Sequence, residues 1–391
     1  MKHVFADLGV MPISNNFLTV DQLSKPEPFY PLRASVDMDT KLVQLDFPLR
    51  REEMFNEKYP YFSSQSTTWL AHLETYCEEM IERFRPQMVV EVGSNDGCLL
   101  QFFKERGSTV HGIEPSASVA ETARKNGIDT EISFFGAGAV YGPPADLMIA
   151  NNVLAHVPNI DNFIEGFREA LAPQGVATFE FPHLVNLIQK NQFDTIYHEH
   201  YSYMSLMAFT NILNRHQLRV FDVQEISTHG GSLRVFVCHW DAKHVINYSH
   251  LAWIYDAEYD AGLDRPEVYQ GFAEHIKETK RALLDLLIDI KRDGKSIVGY
   301  GAPAKGNTLL NYCGIGKDFI DFVVDTTPAK QGMYLPGSRL KIKHPEWIEI
   351  EKPDYILILP WNFKKEIMDK LVHIREWGGK FIVPIPRAEV I

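Results

Sequence analysis

The chain has 391 residues, 45% of them apolar, and a formal net charge of -12, enough for two or three cores at about 150 residues each. The acidic balance, without any Lys/Arg block, gives a nucleic-acid surface no support, and no stretch approaches the roughly 18 uncharged apolar residues of a membrane span. Asp7 arrives before any apolar run, unlike a signal peptide, so the cytoplasm is the expected location; Cys77, Cys98, Cys238 and Cys313 form no C-x-x-C pair, which argues against a disulfide framework and a cysteine-only zinc site.

The first seventy residues are rich in proline and aromatics and read as irregular, with one strand-like piece over 41–45. They form a small N-terminal unit, or lid, that must pack on something larger. An amphipathic helix over 69–84 leads into regular alternation: strands over 88–92, 109–113, 147–151 and 175–181, with helices over 99–106, 117–126 and 160–171 between them. Strands separated by helices predict a mostly parallel α/β sheet. Segments 220–225 and 232–238 flank Ser227-Thr228-His229-Gly230-Gly231 and read as an antiparallel pair that closes this half. After a charged helical stretch over 241–290, a second α/β pattern begins: a strand over 295–300, the turn Gly301-Ala302-Pro303-Ala304-Lys305-Gly306, a helix from Asn307, a strand ending in Asp325, and strands over 355–359 and 380–384. The division expected is 1–70, 71–240 and 241–391.

The run Val89-Val90-Glu91-Val92-Gly93-Ser94-Asn95-Asp96-Gly97 ends a strand in a Gly-rich turn, and Glu114-Pro115 closes the next strand. An acid about twenty residues past such a turn can take both hydroxyls of an adenosine ribose. Gly93 and Gly97 lack the G-x-G-x-x-G spacing of a pyrophosphate cradle, which favours S-adenosylmethionine, a cofactor without phosphate that asks for close backbone approach. Glu91, Gly93, Asn95, Gly97, Glu114, Pro115 and, at the next strand end, Asn151 are the candidate cofactor residues. The second Gly turn, with Lys305 beside a helix N-terminus, could hold a phosphate; structurally, its glycines need do no more than allow a tight connection.

The densest polar cluster, Asp194-Thr195-Ile196-Tyr197-His198-Glu199-His200-Tyr201-Ser202-Tyr203, follows the fourth strand, where an open parallel sheet binds ligands. Histidine can accept a proton near neutral pH, and tyrosine can donate to a developing enolate oxygen. A metal is the rival use of His198, Glu199 and His200. Their spacing is not H-E-x-x-H, however, and on a helix His198 and His200 would point about 200° apart. His156, directly after a strand, and His229 could orient a loop as readily as react, and Glu180 could bind substrate or hold a backbone amide.

At this point the chain resembles the sugar C-methyltransferases that act on nucleotide-linked keto-deoxysugars. The resemblance runs through Asp7-Leu8-Gly9 to Asn16-Phe17-Leu18, Tyr59-Pro60-Tyr61-Phe62-Ser63-Ser64, the Glu91 to Gly97 turn, Asn151 to Pro158, Tyr197 to His200 and His229-Gly230-Gly231. It continues through Gly299 to Lys305, Asn311-Tyr312-Cys313-Gly314-Ile315-Gly316 and Asp325-Thr326-Thr327-Pro328. It implies a central Rossmann-like domain for S-adenosylmethionine and a C-terminal Rossmann-like domain that helps hold a nucleotide sugar. It puts the general base on His200, with Tyr197 and Glu199 beside it, His156 on the substrate side and Tyr61 or Tyr59 reaching in from the N-terminal unit. Tyr59, Glu180, His229, Gly230, Gly231, Lys305, Asn311 and Asp325 are the expected substrate contacts.

Two departures stand out. His198 occupies a position where relatives carry an acid. The family's four N-terminal zinc cysteines are missing, and the region of the second pair reads Ala34-Ser35-Val36-Asp37-Met38-Asp39-Thr40-Lys41. Zinc is therefore expected to be absent, and the N-terminal unit to be held by burial. The implied reaction is methylation of a nucleotide-diphosphate (dTDP) 4-keto-6-deoxyhexose alpha to its ketone, carbon 3 before carbon 5. His200 removes the proton, Tyr197 and His156 stabilise the oxygen, and Glu199 supports the base. A small-molecule O-methyltransferase, a keto-sugar epimerase and a non-catalytic nucleotide-sugar sensor are the alternatives; monomer and homodimer are both open.

Overall fold

The computed structural model describes residues 1–50, 54, 63–65, 67–138 and 142–391; the candidates Tyr59 and Tyr61 lie outside them. Three sheets organise the chain. The N-terminal one is an antiparallel sheet in the order β1 (Lys2–Met11), β2 (Tyr30–Asp37), β3 (Leu42–Leu45), β9 (Ser202–Tyr203). This corrects the irregular N-terminus expected from sequence. The alternation of β1 is broken by register shifts between Val4 and Ala6 and between Asp7 and Val10, and such bulges hide the two-residue period.

The central sheet has seven strands: β4 (Met88–Val92), β5 (Thr109–Ile113), β6 (Thr130–Glu131), β7 (Ala145–Asn151), β8 (Leu171–Pro182), β10 (Leu218–Ile226) and β11 (Ser232–His239). They lie in the order β10-β11-β8-β7-β4-β5-β6. β6 to β8 run parallel, whereas β11 pairs antiparallel with both β8 and β10. Val89, Val90 and Val92 of β4 are all buried, as a strand covered by helices on both faces requires. Those helices carry one apolar stripe each. Ile160–Ala170 buries Ile160, Phe163, Ile164 and Phe167 and starts where the Asn159 side chain accepts the Asn162 N–H at 3.1 Å.

The C-terminal sheet has six strands, β12 (Ile297–Tyr300), β13 (Val323–Val324), β14 (Ile342–Lys343), β15 (Tyr355–Ile358), β16 (Lys380–Val383) and β17 (Glu389–Val390), in the order β14-β13-β12-β15-β16-β17. All pair in parallel except β17. The helix Pro266–Arg292 links this sheet to the N-terminal one through a buried stripe that includes Tyr269, Phe272, Ile276 and Leu283. Phe5 of β1 stacks on Phe272 (centroids 4.7 Å apart, 13° between planes) and meets the edge of Tyr269. One continuous apolar core therefore runs from Phe5, Leu32 and Val43 through this helix to Ile297, Val323 and Ile356.

Candidate functional site

A cavity of about 860 Å³ opens at the carboxyl ends of the parallel strands of both large sheets, the place where open α/β sheets bind ligands. Its walls come from the turn after β4, the ends of β5 and β7, the loop between β8 and β9, Asn15 after β1, and the first turn of the helix Ala304–Cys313.

On the central-sheet side the wall holds Gly93, Asn95, Glu114, Pro115, Asn151 and Asn152. Gly93 has φ +69, and a Cβ there would lie 2.7 Å from Val153 Cγ2, so glycine is what lets the turn pass close to the site. Glu114 accepts the backbone N–H of Asn95 at 3.1 Å and of Ser116 at 2.8 Å, which fixes its carboxylate at the rim. Asn95 Oδ1 in turn accepts the Ser63 N–H at 2.8 Å. Glu91 and Gly97 lie behind the turn rather than on the cavity wall. Burial raises the Glu91 carboxyl well above the usual carboxylate range, with Asp96 and Glu114 adding to the shift, and burial raises Glu114 as well. Glu91 Oε2, Ser94 Oγ and Asp96 Oδ1 have no hydrogen-bond partner. On the wall itself, the Glu114 carboxylate beside the close-approaching Gly93 turn fits a ligand that carries ribose hydroxyls, as S-adenosylmethionine does.

Deeper in the cavity stand Tyr197, Glu199, His200, His156, His229 and Tyr203. The His200 Nδ1–H donates to the Thr195 carbonyl at 2.8 Å, and since a carbonyl only accepts, this sets the tautomer and leaves Nε2 as the basic nitrogen. The ring lies against Tyr197, tilted at 33° with 3.9 Å between centroids, and meets His156 edge to face at 4.8 Å. Burial first, and then the neighbouring His156, hold His200 well below the ordinary imidazole value. The His156 Nδ1–H donates to the Glu199 carbonyl at 2.8 Å, and burial lowers His156 to about 4. His229 adopts φ +52, a left-handed conformation costly for a non-glycine residue, and is lowered to about 4 by burial and then by Lys305.

The Glu199 carboxylate turns to the N-terminal unit: Asn15 Nδ2 donates to both of its oxygens, at 2.9 and 2.8 Å. Burial pushes this carboxyl up to about 7 against those bonds. Sequence reasoning missed Asn15 as a site residue, although it borders the Asn16-Phe17-Leu18 stretch. It also missed Trp69, which lines the cavity with its ring edge on His229 at 5.5 Å, and Lys330, which with Lys305, Thr326 and Thr327 forms the C-terminal wall.

Other candidates bind protein instead of facing the cavity. Glu180 is fully buried, accepting from His72 Nε2–H at 2.9 Å and from Arg234 at 2.7 Å. The Gly230 carbonyl accepts from Lys190 and Gln192, and that of Gly231 from the His183 N–H at 3.1 Å, so both hold the loop that presents His229. Asn311 donates to the carbonyls of Asn307 and Pro336, and Asp325 accepts the N–H groups of Ala302 and Thr327, tying together the two loops that carry Lys305 and Thr326. His198 points to the Tyr30 carbonyl at 3.3 Å and does not line the cavity. Among the described residues no group of side chains could hold a metal ion, and no helix is long and apolar enough to cross a membrane.

Comparison with known proteins places this geometry in context. Residues 227–386 match the family model described as C-methyltransferase C-terminal domain, 45–223 that of a methyltransferase domain, and 1–55 one described as "Putative zinc binding domain". The chain is 36% identical to the C-methyltransferase NovU of Streptomyces niveus over 98% of its own length and 93% of that protein's. Among solved structures, the magnesium protoporphyrin IX methyltransferase of Synechocystis PCC 6803 with bound S-adenosylmethionine is 14% identical, covering 44% of this chain and 79% of that one at a TM-score of 0.35. The PH0226 protein of Pyrococcus horikoshii OT3 is 11% identical, covering 48% and 97% at a TM-score of 0.39.

Proposed function

We propose a substrate and a chemistry for this chain, which belongs to the S-adenosylmethionine-dependent C-methyltransferases: C-methylation of a nucleotide-diphosphate 4-keto-6-deoxyhexose, alpha to the ketone, at carbon 3 in preference to carbon 5. The observation that carries it is an imidazole with its tautomer fixed for proton acceptance, in the same cavity as the adenosine-type turn. His200 Nε2 takes the proton alpha to the carbonyl, because the ketone spreads the resulting charge onto its oxygen. Burial keeps His200 neutral at working pH and therefore always able to accept. The same burial makes it a weak base, so the oxygen that gains charge must be stabilised at the same time; Tyr197, tilted over His200, is the donor for that task, whereas neutral His156 has already given its one N–H to the Glu199 carbonyl and lines the substrate side. Glu199 acts through its backbone carbonyl, which holds His156.

Bound S-adenosylmethionine supplies an electrophilic methyl whose transfer to the deprotonated carbon leaves a neutral thioether. Glu114 and the Gly93 turn hold the donor side. Lys305 at the first turn of the helix Ala304–Cys313, with Lys330, meets the diphosphate end, so that carbon and methyl are kept in line. The N-terminal unit is expected to hold no zinc, because residues 1–55, which match the model described as "Putative zinc binding domain", contain no cysteine. The test is incubation with methyl-labelled S-adenosylmethionine and a panel of nucleotide-linked 4-keto sugars. Label in a carbon–carbon bond that survives acid hydrolysis is the expected result, and its position distinguishes carbon 3 from carbon 5. Label released as a methyl ether or ester contradicts the reading.

A further inference from the structure

The loop that carries the base is held from the far side by the C-terminal sheet. Asp194, fully buried two residues after Gln192, accepts the indole N–H of Trp361 at 2.7 Å. Trp361 stands just after β15, in a short helical turn over Trp361–Phe363. Its ring also lies beneath the Lys305 ammonium, 4.8 Å from the centroid, while Lys305 Nζ donates to Asn362 Oδ1 at 3.0 Å. The other oxygen of Asp194, Oδ1, has no hydrogen-bond partner. Asp194 sits in the turn Phe193–Thr195, and the carbonyl of the very next residue, Thr195, is the acceptor that fixes His200 Nδ1–H.

We propose that Asp194 and Trp361 are positioning residues for His200: the indole–carboxylate bond orients the Thr195 carbonyl and so selects the tautomer that leaves Nε2 basic. The proposal rests on His200 being the base. A carbonyl one residue along the chain from a buried carboxylate is turned if that carboxylate loses its partner, because an unpaired buried acid draws the turn toward any other donor or toward solvent. The tautomer of a neutral imidazole is set by the bond its other nitrogen makes. A turned carbonyl releases Nδ1–H, and the ring proton is then distributed between the two nitrogens, so that Nε2 is basic in only part of the molecules. Trp361 also contacts Lys305 on the cavity wall, so the element that meets the anionic end of a substrate is the one that aligns the base.

The experiment uses the full chain labelled with nitrogen-15 in its histidine rings, the His200 signals being those lost in His200→Gln. The wild type is expected to show a single Nδ1–H tautomer at His200. Trp361→Phe, which keeps an aromatic side chain but no N–H donor, and Asp194→Ala are expected to give a mixture of tautomers. Both are also expected to lower kcat by about tenfold or more, with the KM for the keto sugar and S-adenosylmethionine binding changed less than threefold. Asp194→Asn keeps an acceptor oxygen for the indole and is expected to retain the wild-type tautomer and a kcat within about threefold. A wild-type tautomer in both Trp361→Phe and Asp194→Ala, whatever their melting temperatures, overturns the proposal, as does loss of the tautomer in Asp194→Asn. The spectra require no turnover: a wild type that methylates no keto sugar would defeat the functional reading while the tautomer still decides this one.

Discussion

Glu199 carries a carboxylate where burial disfavours charge. Its folded-state value of about 7 against an ordinary 4.5 means that between those two pH values the folded chain holds a proton the unfolded chain has released. Stability therefore falls as pH rises through that window and is level above it. His156 and His229 act in the opposite sense. Held at about 4 against an ordinary 6.5, they stay neutral in the fold while the unfolded chain takes up protons, so their contribution is full above 6.5 and is lost as pH falls toward 4. Glu199→Gln removes the first effect and leaves an amide able to pair with Asn15. The expected outcome in urea unfolding is a gain relative to wild type that grows between pH 4.5 and about pH 7 and is level above, up to about 3 kcal/mol; a difference independent of pH contradicts it. At this scale the sequence was informative where chemistry is local. Glycine, asparagine and glutamate at a strand end, or Tyr197 and His200 after one, stand out by residue type and land on one cavity, whereas His198 between them turns away to the Tyr30 carbonyl. Asn15 could not be read this way, because its partner lies 184 residues away. Glu180 misled for a related reason: a strand-end acid looks alike whether it faces a ligand or a buried arginine.

Among the elements, the N-terminal sheet is the one whose anchoring is unusual for its size. Four strands with a single buried face need a partner surface, and here it is the helix Pro266–Arg292, with Phe5 between Tyr269 and Phe272. The sheet gains its last strand from the loop that carries His200, where Val43 pairs with Tyr203 and Gln44 with Ser202. Phe5→Ala is expected to destabilise the chain by about 3–5 kcal/mol, and a chelator is expected to leave the unfolding midpoint of the wild type unchanged. A small loss on truncation together with a large one on chelation would show that a metal, not this aromatic contact, holds the sheet. The parallel strands were legible because buried strands read as apolar runs between amphipathic helices. β1 and β9 were not: the first is bulged, and the second is a two-residue pairing that exists only after distant segments meet.

At the scale of the whole molecule, the two large sheets point their carboxyl edges at one cavity, and the N-terminal sheet closes its side. The segment from Phe193 to Tyr203 is the junction: Trp361 reaches it from the C-terminal sheet, Asn15 and β3 from the N-terminal one, and Ala155 accepts the Tyr201 N–H from the central one. This explains why an order of motifs along the chain could suggest the site, whereas the contacts that hold the His200 loop could not be found in any single stretch. The central claim is that His200 removes a proton from carbon next to a ketone. Its most direct test is exchange of that proton for deuterium in a nucleotide-linked 4-keto-6-deoxyhexose, compared between wild type and His200→Ala. The account predicts exchange by the wild type, none by the variant, and S-adenosylmethionine binding intact in both; exchange and methylation that persist in His200→Ala would contradict it.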